Sequence, residues 1–229
     1  MKAEQLVEKF FIALREESKT HPPGKISVTL LAWPCLRRAV IELTCPEAAL
    51  DPSGLIKTWV GTMCHKTSVL GRENELELTW ENIYGRVDEY DPENGILLEK
   101  KTCRRKFSEP PPHYLKQVNY YRVLLEENGR PVREAWIMFV NIDDGRIQVF
   151  PVELEDIEAV KAEMLEKRDK ILKAVEAGIL PPREMGFWES DDPSKQSLVC
   201  SYCPRFSICL VSDVVLGDAR AVVEEAGAE

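Results

Sequence analysis

The chain reads as an α/β protein, a sheet with helices laid against it, and three features of the sequence say so. Runs with strand character, Ile83–Tyr90 and Ile96–Cys103, flank Asp91-Pro92-Glu93-Asn94-Gly95, a loop with Pro, Asn and Gly where a hairpin wants them. Segments of helical period alternate with further strand-like runs along the rest of the chain. Length and composition agree: 229 residues, 44% hydrophobic and 30% charged, make a charge-rich globular chain able to bury a full core.

From the start, Glu4 to Ser18 carries Leu6, Val7, Phe10, Phe11 and Leu14 at helical spacing, and His21-Pro22-Pro23-Gly24 ends that helix. Ile26 to Trp33 is apolar and open between strand and helix. Cys35-Leu36-Arg37-Arg38 leads into a helix ending near Cys45-Pro46. Asp51-Pro52-Ser53 is a capping sequence for a helix over Leu55–Val69, closed by Gly71. The alternation Glu75-Leu76-Glu77-Leu78 marks a half-buried strand, which with the hairpin makes three consecutive strands. Pro110-Pro111-Pro112 breaks the chain before an amphipathic helix, His113–Glu127. A fourth strand, Glu134–Ile142, turns at Asp143-Asp144-Gly145 into a fifth, Arg146–Val152. Glu155–Ala177 is a long helix on Ile157, Val160, Met164, Ile171, Leu172 and Val175, with Gly178 where a C-cap belongs. Leu180–Ser197 reads as a surface connection and Val211–Glu229 as a short acidic helix.

A net charge of −9 argues against a protein that coats nucleic acid indiscriminately. It leaves room for a local basic strip, and KKTCRRK supplies one in Lys100, Lys101, Arg104, Arg105 and Lys106. The bland alternative is a solvated edge strand guarded by charge. No apolar run is long enough to span a membrane, and acids break up MKAEQLVEKFF before an apolar stretch develops. A cytoplasmic protein without a membrane partner is expected.

The hairpin carries the chemistry. If Asp91 and Ile96 close its loop, counting back sets Asp88 opposite Glu99, with Cβ atoms about 5 Å apart on one face. Two carboxylates so placed repel unless a cation lies between them. Lys101 projects from that same face, two residues on. Two acids converging beside an ammonium read as a divalent-cation site next to a phosphate. His65, at the end of its helix, offers a third ligand through imidazole nitrogen. Carboxylates select magnesium or manganese, and a nitrogen ligand tilts the choice to manganese. Gln117 and Tyr121, four apart, share one helix face that can lie beside the site.

Seven cysteines is an odd number, and three of them, Cys200, Cys203 and Cys209, crowd one short segment. That clustering points to a metal rather than a disulfide framework. Three thiolates need a fourth ligand for a closed site, zinc or [4Fe–4S]. Cys35 is the candidate, with Cys45 as the alternative. Such a staple ties the ends of the chain together across a long loop, whose closure carries a large entropy term. Cys64 and Cys103 read as small buried hydrophobes.

His65, Asp88, Glu99-x-Lys101 and Gln117-x-x-x-Tyr121, in that order and at those spacings, resemble the RecB-like branch of the PD-(D/E)xK nucleases. One early cysteine and three late ones around such a core resemble, in turn, the CRISPR-associated exonuclease family known as Cas-four. The departure is Pro34, which precedes Cys35 where family members often have a proline after the cysteine. The resemblance implies a mixed central sheet flanked by helices. It divides the chain into an N-terminal helical segment over 1–52, a nuclease core over 53–180, and a cysteine-rich segment with an acidic tail over 181–229. In that scheme Asp88, Glu99, His65 and the Lys100 carbonyl hold Mg or Mn, Lys101 serves the reacting water or phosphate, and Gln117, Tyr121, Arg104, Arg105 and Lys106 contact DNA. A [4Fe–4S] cluster sits on Cys35, Cys200, Cys203 and Cys209. The implied activity is single-strand exonuclease, typically from the 5′ end and sometimes with endonuclease activity. The implied role is trimming spacer precursors in CRISPR adaptation with the integrase complex. Two other readings stay open: a cluster-bearing DNA-binding adaptor without turnover, and a zinc-stabilised structural protein.

Overall fold

The computed structural model describes residues 3–17, 22, 24–45, 52–182, 200, 203–205 and 208–209. Its elements run α1 (Ala3–Glu17), β1 (Ile26–Ser27), α2 (Val28–Ala32), α3 (Leu36–Thr44), α4 (Pro52–His65), β2 (Glu73–Trp80), β3 (Ile83–Asp91), β4 (Ile96–Cys103), α5 (Pro112–Glu127), β5 (Glu134–Asn141), β6 (Ile147–Pro151) and α6 (Ile157–Ala177). The strands form one mixed six-stranded sheet flanked by helices.

β3 is the hub of that sheet. β2 pairs antiparallel along one of its edges, from Glu73–Tyr90 to Trp80–Ile83, through a two-residue turn at Glu81 and Asn82, both at positive φ. The other edge has two partners. β1 runs parallel to Ile83 and Tyr84, while β4 runs antiparallel to Glu89, Tyr90 and Asp91. The pairs Asp91–Ile96 and Glu89–Leu98 are in the register the turn chemistry predicts. The loop is held by Asp91, whose carboxylate accepts from the Glu93 N–H at 3.0 Å and Asn94 Nδ2 at 2.7 Å. Beyond Glu89–Leu98 the described ladder stops, so Asp88 stands where β3 and β4 part. An opening in the sheet results, bounded by β1 at its far end.

β4 and β5 are parallel, which requires a crossover, and α5 supplies it. Ile26, Val28 and Leu31 join Val87, Leu97, Val118, Leu124, Ile137, Phe139 and Met164 in one buried cluster. Burying each such side chain fully is worth roughly 1.5–3 kcal/mol. The described residues 26–40 therefore share their core with the sheet. α5 comes unusually close to β3 because Gly85 lacks a Cβ: one built there would meet Tyr121 Cε1 at 2.8 Å and Leu124 Cδ2 at 2.9 Å.

Two expectations need correction. Ile26–Trp33 is neither strand nor helix throughout; Ser27 ends a two-residue strand and its hydroxyl accepts from Leu30 N–H at 3.2 Å, capping α2. The helix expected over Leu55–Val69 stops at His65, because side chains of the sheet take over the backbone groups that follow. The acidic helix expected over Val211–Glu229 and most of the Leu180–Ser197 connection lie outside the described residues. Among the described residues no helix is long and apolar enough to cross a membrane.

Candidate functional site

Where β3 and β4 part there is a cavity of about 140 Å³. His65, Asp88, Glu99, Lys101, Gln117 and Tyr121 all line it, so the expected group from four separate elements converges. Glu75 lines it too.

Asp88 is buried, with one oxygen hydrogen-bonded and the other close against His65. Its Oδ2 accepts the Lys100 N–H at 2.6 Å, and its Oδ1 lies 2.7 Å from His65 Nδ1. Burial pushes Asp88 up, but the contact with His65, the Lys101 charge and the Lys100 amide outweigh it and hold the carboxyl below its ordinary value. Glu99 differs, although it faces the same cavity. Only 1% of it is exposed, Oε1 lies 2.5 Å from Lys101 Nζ, and Oε2 is buried without a hydrogen-bond partner among the described residues. Burial first, and then the Asp88 charge, push Glu99 up to about 7. Lys101 is shifted the opposite way to what burial demands, because Glu99 and Asp88 stabilise its ammonium. It also lies 5.2 Å from the Tyr114 ring centroid. On α5, Gln117 Nε2 donates to the Tyr121 hydroxyl at 3.1 Å and to Thr29 Oγ1 at 3.2 Å. Burial and the Glu99 charge raise the Tyr121 hydroxyl, so it stays a donor.

The orphaned Glu99 Oε2 is the test of whether a cation fits. A buried carboxylate oxygen without a donor costs free energy that a metal would recover. Three carboxylates and an imidazole at one cavity suit a hard divalent ion, magnesium or manganese. With such ions chelated, the raised Glu99 has a definite effect on stability. An acid whose folded value lies above its ordinary 4.5 stabilises the fold while protonated, and that contribution is lost as pH rises through about 7. Denaturation of the chelated protein is expected to show this loss across that window, and Glu99→Gln to abolish it.

The alternation of the strands puts the next residues on the other face, where they hold the site up. Lys100 Nζ donates to the carbonyls of His65 at 3.0 Å and Thr67 at 2.6 Å and to Glu89 Oε1 at 2.8 Å. Glu89 accepts the N–H groups of Val69 at 2.8 Å and Leu70 at 2.7 Å. Both side chains are 1% exposed. Burial pushes Glu89 up, but Lys100 and the two amides hold it below its ordinary value. Together they end α4 at His65 and fix where that imidazole begins. Lys100, expected to offer its carbonyl to the metal, is seen to spend its ammonium on this turn and its amide on Asp88.

Of the basic strip, Lys101 lines the cavity, whereas Arg104, Arg105 and Lys106 do not. Arg104 is exposed with Nε 3.8 Å from Asp143, Arg105 lies 4.9 Å from the Phe107 ring centroid, and Lys106 is exposed. Of the cysteines, Cys35 is the N-cap residue of α3, and the N–H of Cys203 donates to the Cys200 carbonyl at 3.0 Å. Burial pushes the Cys203 thiol up, against the Arg205 backbone hydrogen bond and the Arg38 charge, which pull it down. Cys45 is at the other end of α3, about 15 Å along the helix axis.

Glu75 is what sequence reasoning missed. It stands between the pairs Asn74–Glu89 and Leu76–Val87, hence across from Asp88. The signal was there: carrying the register one strand further back aligns Glu75, Asp88 and Glu99 in one row. The turn that sets that alignment, Glu81-Asn82, contains no glycine to announce its positive φ values.

No family model matches the chain, and no curated protein does. Solved structures do. The crystal structure of SSO0001 is similar over 91% of this chain and 96% of that one, at 22% identity and a TM-score of 0.58. An alkaline exonuclease from Laribacter hongkongensis matches at 15% identity and TM-score 0.47, over 68% of this chain and 91% of that one. A phage-related exonuclease from Haemophilus somnus 129PT matches at 15% identity and TM-score 0.38, over 62% and 71%. The likeness to SSO0001 is one of fold.

Proposed function

We propose that the protein is a metal-dependent DNA nuclease of the RecB-like PD-(D/E)xK kind, acting as an exonuclease on single strands from the 5′ end, with some endonuclease activity. One observation carries the reading: Asp88, Glu99 and Lys101 meet His65, Gln117 and Tyr121 at one cavity that contains an unsatisfied buried carboxylate oxygen. Asp88, Glu99 and His65 would hold magnesium or manganese, with the Lys100 carbonyl as a further ligand. When bound, the ion polarises the scissile phosphate and lowers the pKa of a water.

The chain's own groups do the rest. Lys101 keeps its proton, because two carboxylates stabilise the ammonium, and so meets charge growing on the phosphate or orients the attacking water. Tyr121 presents its O–H to the strand, and Gln117, with both N–H groups engaged on Tyr121 and Thr29, holds it in place from the same face of α5. Arg104, Arg105 and Lys106, outside the cavity, suit phosphates further along.

A [4Fe–4S] staple on Cys35, Cys200, Cys203 and Cys209 suits the turn that the Cys203 N–H closes onto the Cys200 carbonyl and the place of Cys35 at the start of α3, with Cys45 a helix length away. Arg37 Nη1 lies 3.4 Å from the Pro181 carbonyl, so α3 already meets the chain leading to the late cysteines. Trimming of spacer precursors beside the CRISPR integrase is the biological role that suits this combination.

End-labelled single-stranded DNA tests the reading. Manganese is expected to support cutting and a chelator to stop it, while Lys101→Ala abolishes cutting and leaves binding in place. Binding without cutting by the wild type would make the protein an adaptor instead. Iron and acid-labile sulfide in the anaerobically purified protein are expected; zinc in their place would replace the cluster.

A further inference from the structure

We infer that Glu75 is a further arm of the cation site and that Arg86 competes with the cation for it. The inference rests on the metal-dependent reading above and concerns a residue which that reading does not use. Asp88 sits on the central strand of three, with Glu75 across from it on β2 and Glu99 one residue past the last β3–β4 pair on β4. One ligand atom from each of His65, Glu75 and Asp88 lies within 4.8 Å of the others. An ion bonding oxygen or nitrogen at about 2.0–2.6 Å reaches across such a span. Glu99, 1% exposed, turns its unpartnered Oε2 into the same cavity, an independent sign that a ligand belongs there.

Glu75 is no ordinary strand residue. Its φ is 54°, in the left-handed region, although the pairs on both sides of it stay in one register. A non-glycine residue held there costs on the order of 1–3 kcal/mol, which something else must offset. The bland account is the ion pair with Arg86, Nε to Oε2 at 2.9 Å. That pair is 35% and 26% exposed at its two side chains, and partly exposed pairs contribute about 0–1 kcal/mol. It is too weak to explain the backbone and weak enough for a divalent ion to displace.

Arg86 lines the cavity as well. When Glu75 turns to a cation, the guanidinium loses its carboxylate and can take a phosphate oxygen with its planar fork of donors. Filling the cation site would therefore strengthen DNA binding through Arg86, and DNA would strengthen cation binding by the same factor.

The test is manganese affinity of the full chain, followed by the EPR signal of free Mn²⁺. Glu75→Gln is expected to weaken binding at least tenfold, and Arg86→Gln to tighten it, since the competitor is gone. A merely structural ion pair gives the same sign when broken from either side, so opposite signs separate the two accounts. Equal manganese affinity in Glu75→Gln and wild type overturns the inference while leaving the metal-dependent reading standing. Weakening in both variants overturns it as well. Failure of the folded wild type to bind manganese at all removes both.

Discussion

Asp88→Ala is expected to slow the cutting of end-labelled single-stranded DNA at least a hundredfold, about 2.7 kcal/mol of barrier, with manganese saturating for the wild type. The size follows from how many roles converge on that carboxylate. It is the only acid in the row flanked by acids on both sides, and its oxygens face His65 at 2.7 Å and the Lys100 amide at 2.6 Å. Its removal deprives a cation of its central ligand and frees the imidazole. Burial still pushes Glu99 up, but the added push of the Asp88 charge is gone, so Glu99 ionises more readily and pairs more completely with Lys101. A lysine so neutralised has less to offer a phosphate. DNA affinity should fall far less, because the residues proposed to contact phosphate lie elsewhere in the cavity and along the basic strip. A loss of less than about threefold in rate, with the variant folded, would mean that the cavity does not perform the chemistry.

Lys100→Met should destabilise the fold by about 3–5 kcal/mol, read from chemical denaturation of the chelated protein. The methionine fills the volume but leaves Glu89 ionised, buried and without its ammonium. The carbonyls of His65 and Thr67 lose their donor at the same time. Adding Glu89→Gln to that variant is expected to restore part of the loss, since the remaining group is then neutral. Lys101→Met is the internal comparison: its neighbour Glu99 is poised to take a proton, so that variant should unfold nearly as the wild type does near neutral pH. Equal destabilisation from the two lysines would remove the distinction between a lysine that supports the site and one that works in it.

Why some of this was legible from residues alone, and some not, follows from the physics of each signal. The β3–β4 register was legible because Asp91-Pro92-Glu93-Asn94-Gly95 is turn chemistry strong enough to fix which residues face each other, and period-2 alternation then carries Glu99 and Lys101 to one face. The α5 pair Gln117 and Tyr121 was legible because spacing by four guarantees a shared face. The end of α4 was not, because it is decided by Lys100 and Glu89, residues distant in sequence that capture the turn after His65. Nor was β1, whose two residues are too short for any period to show. The closeness of α5 to β3 was visible only as a glycine, Gly85, whose reason is a ring and a leucine 36 and more positions on.

Adjacent lysines with opposite duties make the hairpin a form of proofreading. Were β4 to zip up one residue out of step, the ammonium meant for Glu89 would emerge in the cavity and the one meant for Glu99 would be driven against the turn. Such a chain would forfeit its strongest buried pairing before it could ever meet a substrate. Molecules stable enough to persist are thereby the ones whose reactive groups are correctly aimed.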